Sequence, residues 1–543
     1  MKATKLILMG GVMLLAMPSM AQETYENTKI ASEDLNGTAR YVGMGGALEA
    51  LGADISTMGT NPAGIGLMKH STVSLSAGLQ VQGNGHDFAE GNKTNASFDQ
   101  GGFVWSTRSG RKSFLNFGFN YHKSRNMDYI LNAAGTLHGA SVNKQSYMKN
   151  LLGDYRRGGF YIDTNTDGEL IGYEDAQSSY TSPAFNQIDY LMWNAFLVDP
   201  NTQVAGYNDG SRYIFDRSHT GYIGEYDFNI SGNIKDRVFL GLTVGLHDVH
   251  YKGYSEYTEY LIDGNGNDAG SLTIADDRKI TGTGYDLKFG AIFRPIETSP
   301  FRIGLYVHTP TWYDLTTRNY TTLTNNTSYG AYDNGRSHES YDYKMFTPWK
   351  FGLSLGHTVG KFLALGATYE FADYGKIKSR VNTDGYYDYW DGYVTTSEND
   401  RGMNQHTDKT LKGVSTFKLG AECKPIQDMA VRVGYNYVSP MFSKHGAKDG
   451  GIISNGSYYS SAADYTNWKS TNRLTFGLGY TIQKFTLDFA YQYSCQKGDF
   501  YPLSSMQVAN VADGNKATVS NSVGATEVKN DRHQLLFTVG YRF

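Results

Sequence analysis

Across 543 residues, 49 Lys and Arg stand against 53 Asp and Glu, a formal net charge of −4 that gives no basis for binding nucleic acid. Mean hydropathy is −0.45, and beyond the first residues no run approaches the roughly 18 apolar residues of a transmembrane helix. With 42 tyrosines, 27 phenylalanines and 63 glycines against 11 prolines, and only Cys423 and Cys495, a disulfide scaffold is excluded. Two classes remain: a large extracellular β protein, or a membrane β-barrel, which escapes hydropathy scans because only alternate residues face lipid.

Taken in chain order, Lys2 and Lys5 flank the start of an apolar run from Leu6 to Met17, and Ser19-Met20-Ala21 ends it in small residues. This predicts a secretory signal over residues 1–21, cleaved before Gln22. Residues 22–70 are rich in Gly and Ala, and include Gly43-Met44-Gly45-Gly46-Ala47 and Asp54-Ile55-Ser56-Thr57-Met58-Gly59-Thr60-Asn61-Pro62-Ala63. Gly and Ala allow close backbone packing in a confined space, and Asn-Pro fixes a turn. The segment therefore reads as a plug folded into a lumen or as a loose periplasmic tail. Its glycines do not form a dinucleotide fingerprint, because no strand precedes Gly43 and no βαβ unit follows.

From residue 71 onward a period of two sets in, predicting a barrel over 71–543. Strands are predicted at 71–81, 99–107, 113–123, 222–233, 237–251, 280–294, 301–312, 345–358, 361–375, 413–424, 429–439, 470–482, 484–495 and 532–543. Every even-numbered strand is followed by a brief connection, down to Gln483 alone; every odd-numbered one by a long connection, from 17 residues (82–98) to 98 (124–221). Such parity distinguishes an outer-membrane barrel, with tight periplasmic turns and long outer loops, from a soluble sandwich. The reading is all-β: a transmembrane antiparallel barrel of about fourteen strands in a Gram-negative outer membrane, its N-terminal hatch in the lumen. Asp227, Asp286, Lys288, Lys418, Glu422, Arg432 and Asp488 fall on inward positions and are read as lumen and hatch contacts. Both cysteines are read as unpaired thiols.

The longest loop, 124–221, contains Asp163, Asn165, Asp167, Gly168, Glu169 and Glu174 at the spacing of a twelve-residue calcium loop. A structural calcium clamping the loop is one reading; an acidic turn in a solvated loop is the other. His247 and His250, near the outer end of a strand, are read as interface or loop contacts. No nucleophile elbow or paired zinc motif is present, so an enzyme is not expected. The chain ends in alternating apolar residues, and its terminal aromatics Tyr541 and Phe543 resemble the signal by which outer-membrane proteins are handed to the barrel-assembly machinery.

Asp54 to Ala63, with its Asn61-Pro62-Ala63 motif placed just before the first strand, resembles the hatch of the FadL/TodX family of outer-membrane long-chain fatty acid and hydrocarbon transporters. Tyr285 to Pro310 resembles that family's sixth and seventh strands, and Phe346 to Leu353 its eighth. With its position and the strand count, the resemblance is read as extending along nearly the whole mature chain. The resemblance implies a fourteen-stranded monomer whose hydrophobic ligand enters from the outer loops, occupies an apolar pocket and leaves sideways beside a kinked third strand. By parity the third strand turns Asn116, Gly118 and Asn120 inward, with Gly118 the place where a kink costs least; these three are the candidate lateral gate.

Passive uptake of small, fatty-acid-like hydrophobic molecules is the function this implies. A hydrophobic solute crosses the polar lipopolysaccharide layer poorly but gains about 0.8 kcal/mol per CH₂ on entering an apolar phase. A diffusion porin for polar solutes is the alternative favoured by the charged inward positions. A surface adhesin or loop-display barrel is the one favoured by the Tyr/Asn/Ser/Gly-rich loops 376–412 and 440–469.

Overall fold

The computed structural model describes residues 23–543 apart from 153–159, 165–169, 175–184, 200–203, 329–333, 390–391, 450–451, 453, 455–456, 458 and 511–516. The expected signal segment lies outside the described residues.

The chain forms a closed antiparallel barrel of fourteen strands, each paired with its neighbour in sequence. They are β1 (Thr72–Gln82), β2 (Thr94–Gly110), β3 (Ser113–Asn126, continued by Tyr129–Thr136), β4 (Asp209–Ile234), β5 (Val238–Ile262) and β6 (Asp268–Phe293). Next come β7 (Arg302–His308 and Trp312–Asn326), β8 (Asn334–Phe346 and Lys350–Val359), β9 (Leu363–Asp373 and Lys378–Asp388) and β10 (Gly392–Asn399 and Gly413–Ile426). The circuit ends with β11 (Met429–Val438), β12 (Tyr465–Ile482), β13 (Phe485–Tyr501) and β14 (Thr526–Arg542). Pairing of β1 with β14, from Thr72 opposite Arg542 to Gln82 opposite Arg532, closes the ring.

Alternation decides which way each side chain points. Leu353, Leu355, Leu365, Leu419, Val433 and Phe476 are exposed on the outside. Their neighbours Ser354, Thr368, Lys418, Arg432 and Thr475 are buried inside. An apolar outer face on a closed ring, with every ladder satisfied, is what lets strands cross hydrocarbon. The chain is an outer-membrane barrel. No helix among the described residues is long and apolar enough to cross a membrane. At the C-terminus Tyr541 packs on Phe485 with ring centroids 4.8 Å apart, and Phe543 is exposed while its N–H donates to Ser71 O.

All fourteen predicted strands are present, but their outer ends run much further than predicted. β4, β5 and β6 span 26, 25 and 26 residues, and the predicted loop after residue 251 is mostly ladder closed by a turn near residues 263–267. The predicted loop 376–412 likewise holds the paired outer halves of β9 and β10 and the helix Arg401–Thr410. Above the membrane the outward face of these strands is polar and the apolar residues lie on the inward one, where Tyr213, Phe215, Tyr257, Leu272 and Ile274 are buried, so the outward apolar alternation that marks a membrane strand stops before the ladder does.

Residues 23–70 lie inside the ring. A helix α1 (Thr24–Ala31) stands among the outer halves of the strands. A short helix α2 (Ala39–Gly43) follows, then two 3₁₀ turns, Ile55–Gly59 and Pro62–Leu67, which lead down to β1. Met44, Leu48, Met58 and Ile65 are fully buried.

Candidate functional site: the hatch, the cavity above it and the seam in the wall

The middle of the hatch meets the barrel across bare backbone. Gly356, Gly366, Gly420 and Gly434 face one another in direct register across β8 to β11, and the chain from Met44 to Leu51 lies on them. A β-carbon at Gly366 would sit 1.9 Å from Ala47 O, one at Gly420 2.3 Å from Met44 O, and one at Gly434 2.2 Å from Gly45 N. No other residue fits this row without moving the hatch.

Polar pairs sit beside the row. Glu49, fully buried, accepts from Lys418 Nζ at 2.8 Å and Thr368 Oγ1 at 2.8 Å. Arg40 donates to Glu422 at 3.1 Å, and Glu422 also holds Arg432 at 2.6 Å. Of the charges predicted inward, Lys418 and Glu422 thus touch the hatch directly.

Asn61, Pro62 and Ala63 are buried against β4 to β7. The Asn61 side chain accepts from Ala63 N at 3.2 Å, capping the second 3₁₀ turn, and donates to Glu49 O at 2.9 Å. Pro62 O accepts from Ser231 Oγ at 2.7 Å, and a β-carbon at Gly290 would lie 2.1 Å from Asn61 Oδ1. The motif ties two parts of the hatch together while pressing on a wall with no side chain in the way.

The gate residues expected on β3 have another place. Asn116 Nδ2 donates to Ile65 O and Met68 O at 2.6 and 2.9 Å, and Gly118 makes room for Met58, whose Cε would lie 2.1 Å from a β-carbon there. Asn120 accepts from Gln100 Nε2 at 2.8 Å. All three sit in unbroken pairing with β4, so the kink expected at Gly118 is not there. The irregularity lies further along, with a register shift between Lys123 and Arg125 and a break at Met127–Asp128.

That break opens a seam. Pairing between β2 and β3 ends at Gln100 opposite His122, while β2 continues to Thr94 paired only with β1. Beyond the break β3 pairs with β4 alone, and its free edge is met by a side chain: Gln82 donates to Ile130 O at 2.7 Å and accepts from Ile130 N at 2.9 Å. One glutamine substitutes for a ladder at this point.

Above the hatch and against the seam is a cavity of about 230 Å³. One side is aromatic: Tyr25 stacks on Phe442 at 5.2 Å and meets Tyr465 at 5.1 Å, and Trp468 packs edge-on to Tyr129 at 5.7 Å. The other side is charged. Asp34 of the hatch lies 3.1 Å from Arg125, 3.8 Å from Arg473 and 4.0 Å from Arg532. Burial alone would raise the Asp34 carboxyl; Arg125, Arg532, Arg473 and the Asn126 N–H outweigh it and hold it below the ordinary aspartate range.

A second charged cluster lines β3 to β6. Lys288 bridges Glu225, Asp227 and Asp286, and His247 Nε2 lies 3.2 Å from Asp286. His122, Glu225 and Asp227 bring ligand atoms within 4.8 Å of one another; the Lys288 ammonium already supplies a cation there. His247 is therefore a buried lumen residue rather than an interface or loop contact, and only His250 is exposed near the outside. The two stand three residues apart, and an odd spacing places them on opposite faces.

The side chains of the calcium-loop residues Asp163, Asn165, Asp167, Glu169 and Glu174 lie outside the described residues; the flanking backbone, Phe160–Thr164 against Leu170–Glu174, pairs as a hairpin. Cys423 and Cys495 are both free.

No family model matches the chain, and no curated protein does. Among solved structures, the toluene transporter TbuX of Ralstonia pickettii aligns over 94% of this chain and 99% of its own at 13% identity and a TM-score of 0.44. The toluene transporter TodX of Pseudomonas putida aligns over the same shares at 12% and 0.43. A FadL homologue of Pseudomonas aeruginosa aligns over 97% and 100% at 12% and 0.46.

Proposed function

We propose that this chain is a passive outer-membrane transporter of the FadL/TodX type, taking up small hydrophobic, fatty-acid-like molecules as a monomer. The observation that carries the reading is the cavity: half aromatic, closed below by the hatch, and bordered by the one stretch of wall where β2 and β3 part. A hydrophobic molecule entering from the outer loops finds an apolar surface at Tyr25, Phe442 and Trp468, and its shortest route to hydrocarbon is sideways through the seam held by Gln82. Uptake of this kind needs no energy source, because transfer from water to hydrocarbon is downhill.

A polar-solute porin requires a continuous watered path. Residues 39–67, seated on the glycine row, stand across it.

Deleting residues 22–70 and recording single-channel conductance tests the plug: a large rise is expected, and a full-length protein that already conducts like an open pore overturns the reading. Binding of radiolabelled fatty acid to the purified protein tests the cargo.

A further inference from the structure

The charged cluster on β3 to β6 is ordered by strand register. His122 on β3, Glu225 on β4 and His247 on β5 stand opposite one another in one row. In the next inward row Asp227 on β4 and Asp286 on β6 flank Gly245, and Lys288 lies one inward position further along β6. Glu225, Asp227, Asp286 and Lys288 are all buried.

Their charges do not balance. Lys288 reaches Glu225, Asp227 at 3.0 Å and Asp286 at 3.2 Å. Among the described residues no other Lys or Arg lies within ion-pair distance of these carboxylates. With neutral imidazoles, three negative charges meet one positive charge. Charges left uncompensated away from water are costly. One divalent cation restores neutrality; so do two protons, one on each histidine.

The way the oxygens are shared points to the cation. Lys288 takes Glu225 Oε1 and Asp227 Oδ1. The other oxygen of each acid turns to His122: Glu225 Oε2 lies 3.4 Å from Nε2 and Asp227 Oδ2 3.5 Å from Nδ1. Both Asp227 Oδ2 and His122 Nδ1 are buried with no hydrogen-bond partner, and Asp227 is 0% exposed. A spacing of roughly 3.4 Å is the edge of a tetrahedron whose bonds to zinc are about 2.0–2.1 Å long. One ligand atom from each of His122, Glu225 and Asp227 falls within 4.8 Å of the others. Bare backbone borders the space. A β-carbon at Gly59 of the hatch would lie 2.9 Å from His122 Cε1 and 3.2 Å from Asp227 Oδ2, and one at Gly245 2.3 Å from Asp286 Oδ1.

We propose that His122, Glu225 and Asp227 hold one divalent first-row transition metal of the zinc class, with Lys288 fixing the oxygens that face it. Lys288 offsets one of the three acids and the metal the other two. Imidazole nitrogen beside carboxylate oxygen suits zinc, whereas calcium takes oxygens alone. Such a metal ties β3 to β4 where the hatch turn Ile55–Gly59 rests, and three protein ligands leave a fourth position for water.

The test uses untagged full-length protein in non-ionic detergent, stripped with EDTA, dialysed and titrated with zinc in a calorimeter. Calcium is kept in excess, so that residues 163–174 are not what is read. One zinc per chain is expected, and cobalt(II) in its place should give the strong visible absorption of a tetrahedral site. His122→Gln and Asp227→Asn should each weaken zinc by more than the roughly 10–100-fold that follows loss of a group merely supporting a ligand. Asp286→Asn removes the same charge from the cluster as Asp227→Asn and should still bind one zinc. Folding of each variant is read from its heat-modifiable migration on gels, and the wild-type stoichiometry and cobalt spectrum decide even where a variant does not fold.

A wild type that binds no zinc overturns the inference, the charges then being balanced by protons on His122 and His247. Zinc held undiminished by His122→Gln and Asp227→Asn places the metal elsewhere and overturns it. Equal loss in Asp286→Asn shows a counter-ion drawn by charge alone, and also overturns it. Each of these outcomes leaves the transport reading standing.

Discussion

Residues 39–67 of the hatch meet the barrel mainly across glycines, with the Arg40 and Glu49 pairs beside them, whereas residues 24–36 meet it through ions, amides and rings. In the first region backbone lies on backbone: Ala47 over Gly366, Met44 over Gly420, Asn61 over Gly290. Such contact depends on shape, and an interior packed this closely has no partly displaced form at low cost. In the second region Glu26, Glu33 and Asp34 pair with Arg278, Lys350 and Arg125 of the wall, contacts between side chains rather than between backbones. Close backbone packing and side-chain pairing are thus separated along one short chain, the first in the middle of the barrel and the second beside the cavity and the seam.

The largest expected effect tests the fixed part. Gly366→Val places branched carbon where Ala47 O now lies and should expel the middle of the hatch; single-channel conductance should rise several-fold toward that of the hatch deletion, with sensitivity to large antibiotics. Overpacking of this kind costs about 1–3 kcal/mol or more. A variant that stays closed would show that the row merely borders the hatch.

Breaking a buried ion pair comes next. Glu49→Gln leaves Lys418 with only Glu370, at 3.6 Å, as counter-charge in a dry site, a loss on the order of 3 kcal/mol, the lower end for a broken buried pair. Limited proteolysis within residues 22–70 should accelerate strongly. Asn61→Ala removes the cap of the second 3₁₀ turn and the tie to Glu49 O, about 1–2 kcal/mol, and should give a smaller acceleration in the same assay.

The smallest effect is expected at Gly264, in the β5–β6 turn, where nothing lies within 4 Å of a new β-carbon. Gly264→Ala should match wild type in both assays. A phenotype there would mean that the measurements report general barrel damage rather than the hatch.

Much of this architecture was legible in the residues. Leu535, Phe537 and Val539 alternate with Gln534, Leu536 and Thr538, and the parity of long and short connections set the strand count, because lipid on one face imposes the period of two. The outer extensions of β4 to β6 were not legible: once the outward face meets water and the apolar residues lie inward, as at Phe215, Leu272 and Ile274, the outward period of two that marks a lipid-crossing strand is gone. Asn61-Pro62-Ala63 stood out as a turn within a compact segment, and Lys418 and Glu422 as inward charges that needed partners. Gly118 was misread as a kink because a glycine in a strand signals close approach as readily as bending, and here the approach is that of Met58. The convergence of Arg125, Arg473 and Arg532 on Asp34 could not be read, since it joins positions hundreds of residues apart through the curvature of a closed ring.

The length of β4 to β6 also sets how much of the protein stands outside the membrane. At roughly 3.3 Å per residue and a tilt near 40°, a 26-residue strand rises roughly 65 Å, of which the hydrocarbon band takes roughly 25 Å. With tight turns on the periplasmic side, nearly all of the remainder stands outside as a chimney. At that height its bore is filled by the protein's own longest loop, whose Phe185, Ile188, Met192 and Phe196 pack with Tyr213, Phe215, Leu272 and Ile274 of the wall, so the chimney is a walled socket for that loop rather than an open shaft.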